Sequence, residues 1–135
     1  MRQLNKGATK TFNKVVSIMG SESHIKIDNT DGVFMSLSFE LLSEINFNGV
    51  AAKLFAMAHY YLQNGDLIPD PDMTFLQLID TPDVIFPASM TNGFGFKEGI
   101  WNDDGKWVMD VREQADQTVF ANMWLKNIKE QQKLN

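Results

Sequence analysis

The sequence predicts an α+β fold: an antiparallel β-meander sheet flanked by an N-terminal and a C-terminal helix. Three observations predict it. Apolar residues recur at helical spacing near the two ends of the chain. The stretch between them carries short apolar runs with strand-like alternation. Turn pairs (Asn48-Gly49, Asn64-Gly65, Asn92-Gly93, Asp104-Gly105) punctuate those runs at hairpin intervals. At 135 residues and 44% hydrophobic content, the chain is sized for one domain, residues 1–135, with its core over about 11–130.

The first element is an amphipathic helix. Leu4, Ala8, Phe12, Val15, Val16 and Met19 share a face, Lys6, Lys10 and Lys14 fall between them, and Gly20 stops the run. Its firm span is predicted as Thr11 to Met19, because Gly7 weakens the earlier turns. His24 to Asp28 and Val33 to Phe47 then alternate as the arms of a hairpin around the turn cluster Asn29 to Gly32.

Val50 to Gln63 is ambiguous in its residues. Its alanines favour helix, whereas Phe55, Met57, His59 and Tyr61 would share one face of a strand. After it, Pro69 and Pro71 predict a loop over Asn64 to Asp72, followed by a strand over Met73 to Ile79 and a turn at Thr81-Pro82-Asp83. Val84 to Phe86 and Gly93 to Trp101 read as strand, broken at Pro87, Asn92-Gly93, Gly95 and Gly99. Asn102-Asp103-Asp104-Gly105 is the strongest hairpin signal, and Trp101 and Trp107 are expected to meet across it. Asp110 with Glu113 forms a capping-box pattern that opens the last helix, whose buried stripe is Phe120, Ala121, Trp124, Leu125 and Ile128.

Composition excludes several function classes. Without cysteine there is no disulfide framework, zinc-thiolate site or thiol nucleophile. Met1 to Lys14 lacks the roughly 7–15 apolar residues of a signal-peptide core. No run approaches the roughly 20 apolar residues that cross a bilayer, so a cytoplasmic setting and no membrane partner are expected. The net charge of -5 divides into +4 over residues 1–27, -11 over 28–124 and +2 over 125–135. An acidic centre argues against a contiguous nucleic-acid-binding face, so a protein partner is the expectation.

The blocks HYYLQNGDLIPDPDMTF (59–75) and VFANMWLKNIKEQ (119–131) resemble a family of small domains of unknown function encoded on bacterial conjugative elements and related mobile DNA. The resemblance covers about thirty residues, in specific order. It implies a strand before His-Tyr-Tyr, and therefore strand rather than helix for Phe55 to Leu62. It implies no activity, only a mobile-element setting.

The candidate functional block is His59, Tyr60, Tyr61, Asn64, Asp66, Asp70 and Asp72. Asp66, Asp70 and Asp72 are weak metal-ligand candidates on a single loop, and His59 would serve as a base beside them. The same short acids beside Gly and Pro are ordinary turn makers, and His59 has a structural reading as a hydrogen-bonded core residue. Phosphate-loop, dinucleotide-fold, nucleophile-elbow and His-Glu-x-x-His patterns are missing, and no cofactor is expected. If Phe94 and Phe96 lie on a strand, both rings enter the core; if they lie on a loop, they form an exposed aromatic patch. The core is the expectation. Three functions remain: a non-catalytic accessory domain that binds a protein partner, a metal-dependent hydrolase or nuclease-like enzyme using His59, Asp66, Asp70 and Asp72, and a small-ligand binder near Tyr60, Tyr61 and Trp124.

Overall fold

The computed structural model describes residues 1–135. In chain order the elements are α1 (Lys6–Met19), β1 (His24–Ile27), β2 (Leu37–Phe47), β3 (Val50–Gln63), β4 (Asp66–Leu78), β5 (Ile85–Asn92), β6 (Gly95–Glu98), β7 (Ile100–Asp103), β8 (Lys106–Met109) and α2 (Val111–Gln131). The first six strands form one antiparallel sheet in sequential order, and β7 and β8 form a separate hairpin. This is the expected α+β meander between two helices.

Both helices cover one face of the sheet. Phe12 of α1 is fully buried, and its ring meets Phe39, Phe55 and Phe75 at centroid distances of 5.4, 5.7 and 5.2 Å. Met57, Met73 and Ile85 extend this core on the sheet, and Ala121, Trp124, Leu125 and Ile128 complete it from α2. Burying one such apolar side chain contributes about 1.5–3 kcal/mol, so this layer is the main stabilising contact. Phe120 is only partly buried at its margin.

The opposite, outer face is half covered. The β7–β8 hairpin packs over Leu76 and Ala88 through Ile100, Trp107 and Met109, with Phe47 and Phe86 at the edge of this second core. The chain reaches that face at Gly99. Its N–H donates to the Ala88 carbonyl at 2.7 Å, and a β-carbon there would sit 2.9 Å from Gln114 Cα. Only glycine permits this approach, which is the reason for the break at that position.

Several expectations are corrected. Helix α1 begins five residues before Thr11, because Asn5 caps it by accepting from the Ala8 N–H at 2.8 Å and offsets the weakness of Gly7. Val33 to Ser36 is not strand: Asp31 and Gly32 both have positive φ, and β2 starts at Leu37. Val50 to Gln63 is strand throughout, which includes the Phe55 to Leu62 stretch for which the resemblance implied it. The predicted loop over Asn64 to Asp72 is a strand arm instead. Asn64 (φ 53°) and Gly65 (φ 85°) make a tight turn, and β4 pairs with β3 from Asp66 onward. Beyond Asp72 this arm has no partner on the β5 side, so Pro69 and Pro71 occupy a two-stranded ribbon with a free edge, where a missing N–H is tolerated. Trp101 and Trp107 do not meet across their hairpin: Trp107 opposes Asn102, Trp101 opposes Val108, and Trp107 packs on Phe47 at 5.9 Å. Phe94 and Phe96 stand exposed at and beside the β5–β6 turn, against the core expectation.

Asp110 caps α2 by accepting from the Glu113 N–H at 3.0 Å. The returning half of the box is replaced: the Asp110 N–H donates to Gly99, and Glu113 accepts from Gln117. No helix is long and apolar enough to cross a membrane.

Candidate functional site

The register of β3 against β4 divides the predicted block. Ala58 opposes Asp72 and Tyr60 opposes Pro69, so Asp70 and Pro71 together face His59 as a bulge. Strand alternation then sends His59 toward α2 and Tyr60 to the outer face.

His59 is buried, and its Nδ1 accepts a hydrogen bond from Trp124 Nε1 at 3.2 Å. Its Nε2 has no partner. Burial holds the histidine pKa below its ordinary value, opposed by the nearby Asp70 carboxylate, which raises it. His59 is thus a buried side chain hydrogen-bonded to α2 through Nδ1. The sequence reading gave Trp124 a place in the buried stripe but no role as its hydrogen-bond donor.

On the outer face, Tyr60 Oη donates to Asp72 Oδ2 at 3.3 Å. Both groups line a cavity of about 130 Å³, walled by His24 and Glu40 and floored by Ala56 and Ala58. The alanines of the central strand create the depression, because their neighbours on β2 and β4 carry longer side chains. Burial, then the Asp72 charge, raises the Tyr60 pKa. Burial raises that of Asp72, the Tyr60 hydrogen bond lowers it, and the Glu40 charge adds to the rise. A recess with two carboxylates and a phenol favours a cation. Nothing in its sequence marks His24 or Glu40 as part of this cluster, since each lies far from the block and only the β1–β2 register, His24 opposite Glu40, brings them in.

The remaining members scatter. Asn64 is a turn residue, Asp66 and Asp70 are exposed on the ribbon, and Tyr61 is on the opposite side of the ribbon from Tyr60. No group of three or more His, Asp or Glu side chains is arranged to hold a metal ion. The three aspartates are therefore not a converging ligand set.

The ribbon and the neighbouring β5–β6 turn instead carry exposed apolar side chains. Leu62 and Leu67 oppose one another at 72% and 66% exposure, and Phe94 and Phe96 are at 102% and 59%. By alternation Leu62 and Leu67 share the outer face with Tyr60, and Phe96, opposite Thr91, lies in the row of Asp72. The two tips are adjacent: a β-carbon on Gly93 would lie 3.7 Å from the Tyr61 hydroxyl. Toward α2, Met90, Phe94 and Lys97 border a recess of about 460 Å³ whose other wall is Glu113, Asp116 and Gln117. Gln117 Oε1 is buried there without a partner.

A family model described as Domain of unknown function (DUF6908) matches residues 8–134. No curated protein and no solved structure matches the chain.

Proposed function

The chain belongs to the DUF6908 family of domains, and from that premise we propose that it is a non-catalytic accessory domain that docks a protein partner through the uncovered end of its sheet. The observation that carries this reading is the set of exposed apolar side chains on the two adjacent hairpin tips, Leu62 and Leu67 on one, Phe94 and Phe96 on the other. Exposed apolar side chains gathered at one place are the usual mark of a docking surface. Glu113 and Asp116 face Phe94 across the recess toward α2, and Glu40 and Asp72 line the cleft beside Tyr60 on the outer face that Leu62 and Leu67 share. The partner that fits is a protein segment with an apolar strip flanked by lysine or arginine, one of which enters the cleft beside Tyr60. The setting is bacterial, cytoplasmic and on mobile DNA, a reading supported by the blocks at 59–75 and 119–131.

The test is affinity capture from a native-host lysate by the parent, by Leu62→Ser/Leu67→Ser, by Phe94→Ser/Phe96→Ser, and by the remote control Ile18→Ser. A stoichiometric partner lost in both double variants and kept in the control, with melting temperatures unchanged, supports the reading. Capture that is indifferent to the tip substitutions, or no partner at all, overturns it.

A further inference from the structure

The charge that the sequence divides by position is divided again in space. Helix α1 contains three lysines and no acidic residue. Lys6, Lys10 and Lys14 are spaced four apart, and because Ala8, Phe12 and Val15 turn to the core they run along the exposed face. On α2, Asn122, Lys126 and Lys129 recur at four and three residues, again one face. The two helices pack together, and between them lies a groove of about 450 Å³ bounded by Asn5, Lys6 and Thr11 on one side and Asn122, Lys126 and Lys129 on the other.

No carboxylate lines this groove. The molecule has 17 acidic and 12 basic residues, yet its one ion pair is Lys97 with Glu113 at 4.0 Å, outside the groove. The nearest acids are turned away or engaged: Glu130 follows Lys129 with a rotation of about 100°, and Asp83 borders the far flank of α1, where it accepts from Asn13. The three ammoniums of Lys6, Lys126 and Lys129, with the side-chain amides of Asn5 and Asn122, suit phosphate oxygens.

We propose that the α1–α2 groove binds the phosphodiester backbone of a nucleic acid without reading its bases. Of the α1 lysines only Lys6 borders the groove, where Lys126 and Lys129 of α2 join it to make one cluster of positive charge. The groove presents no exposed apolar side chain to insert among acyl chains, which separates it from a membrane-binding helix. The acidic centre that argued against a nucleic-acid face lies elsewhere, on strands and turns such as Glu40, Asp72, Asp103 and Asp104.

Fluorescence anisotropy with a labelled duplex of about 20 base pairs, titrated over about 20–200 mM salt, tests this. Contacts from the three groove lysines, Lys6, Lys126 and Lys129, give a slope of log K against log salt of about -2.7, an affinity loss of roughly fortyfold between 50 and 200 mM. Lys126→Gln/Lys129→Gln should shrink that slope by about 2, while Lys106→Gln on the β7–β8 hairpin leaves it unchanged. The proposal is overturned by no binding at about 20 mM salt, by a slope that ignores the double variant, or by binding of anionic vesicles or polyglutamate in place of duplex. Partner capture through the hairpin tips should survive the lysine variants, so the two surfaces are tested separately.

Discussion

Lowering the pH should weaken the fold through His59 over a defined window. The imidazole is 4% exposed, and its Nδ1 is an acceptor facing the Trp124 N–H, so protonation would set donor against donor in a buried place. Burial accordingly holds the folded pKa below 6.5, the value the unfolded chain returns to. Below pH 6.5 the unfolded state takes up a proton that the folded state refuses, so it binds more protons and stability falls as pH falls, until the folded pKa is reached. The ceiling on that slope is about 1.4 kcal/mol per pH unit for one proton. With an unfolding entropy of about 2.1 cal/mol/K per residue, a chain of this length loses about 5 °C in Tm per unit. The assay is a series of thermal melts of the parent and His59→Gln from about pH 7.5 to 5, because glutamine keeps an acceptor for Trp124 but does not titrate. The difference between the two curves removes the other titrating groups. It should be flat above pH 6.5 and turn in favour of the variant below it. A difference that stays flat down to about pH 5, or turns in favour of the parent, refutes the reasoning.

Two further outcomes follow from the packing and the cleft. Gly99→Ala places a β-carbon 2.9 Å from the Gln114 backbone and should destabilise by about 1–3 kcal/mol, or roughly 4–10 °C in Tm; a melt unchanged within error would show that α2 yields there. Asp72 is a raised carboxyl, so its favourable contribution is complete below pH 3.8 and is lost as pH rises through its folded value. Asp72→Asn should therefore gain on the parent from acid toward neutral pH, and urea unfolding of both proteins that shows the variant losing ground would contradict this.

The end of α1 at Gly20, the start of α2 and most turns were legible because their signals are local, whereas Gly7 hid the start of α1, which the Asn5 cap supplies. Asn64-Gly65 and Asp104-Gly105 adopt the paired positive φ that their residue types favour, and Asp110 caps α2 as its spacing with Glu113 indicates. Pro69 and Pro71 misled because the rule against proline concerns strands paired on both edges, and only the sheet topology shows that this arm has a free one. Phe94 and Phe96 misled for a related reason: Phe94 sits in the turn and Phe96 on the outer side of the edge strand β6, so both rings stay exposed. The cleft was half readable. Tyr60 and Asp72 stood in the chosen block, whereas His24 and Glu40 arrive by strand pairing, and strand alternation puts His59 on the opposite face. Gln114 was missed altogether: it is buried and bonds the Arg2 backbone through both ends of its amide, a tertiary demand with no local pattern.

The lengths of the strands bear on how the protein keeps itself dispersed. An open sheet edge is a template that other chains can extend, and long, flat, apolar edges seed aggregates. Here the outermost strands β1 and β6 have four residues each, against 14 in β3. Beyond the Leu41 N–H, which donates to the Ser23 carbonyl, the rim of β2 has no strand partner on that side over Leu42 to Phe47, but its register is broken by a bulge at Leu42, and the exposed Glu44 follows. A kink and a burial-averse charge on this free rim, and Pro69 and Pro71 on the free edge of the ribbon, are the usual guards against strand addition. Straightening that rim by removing the bulge, or neutralising Glu44, would take away a solubility safeguard while leaving both hydrophobic cores intact.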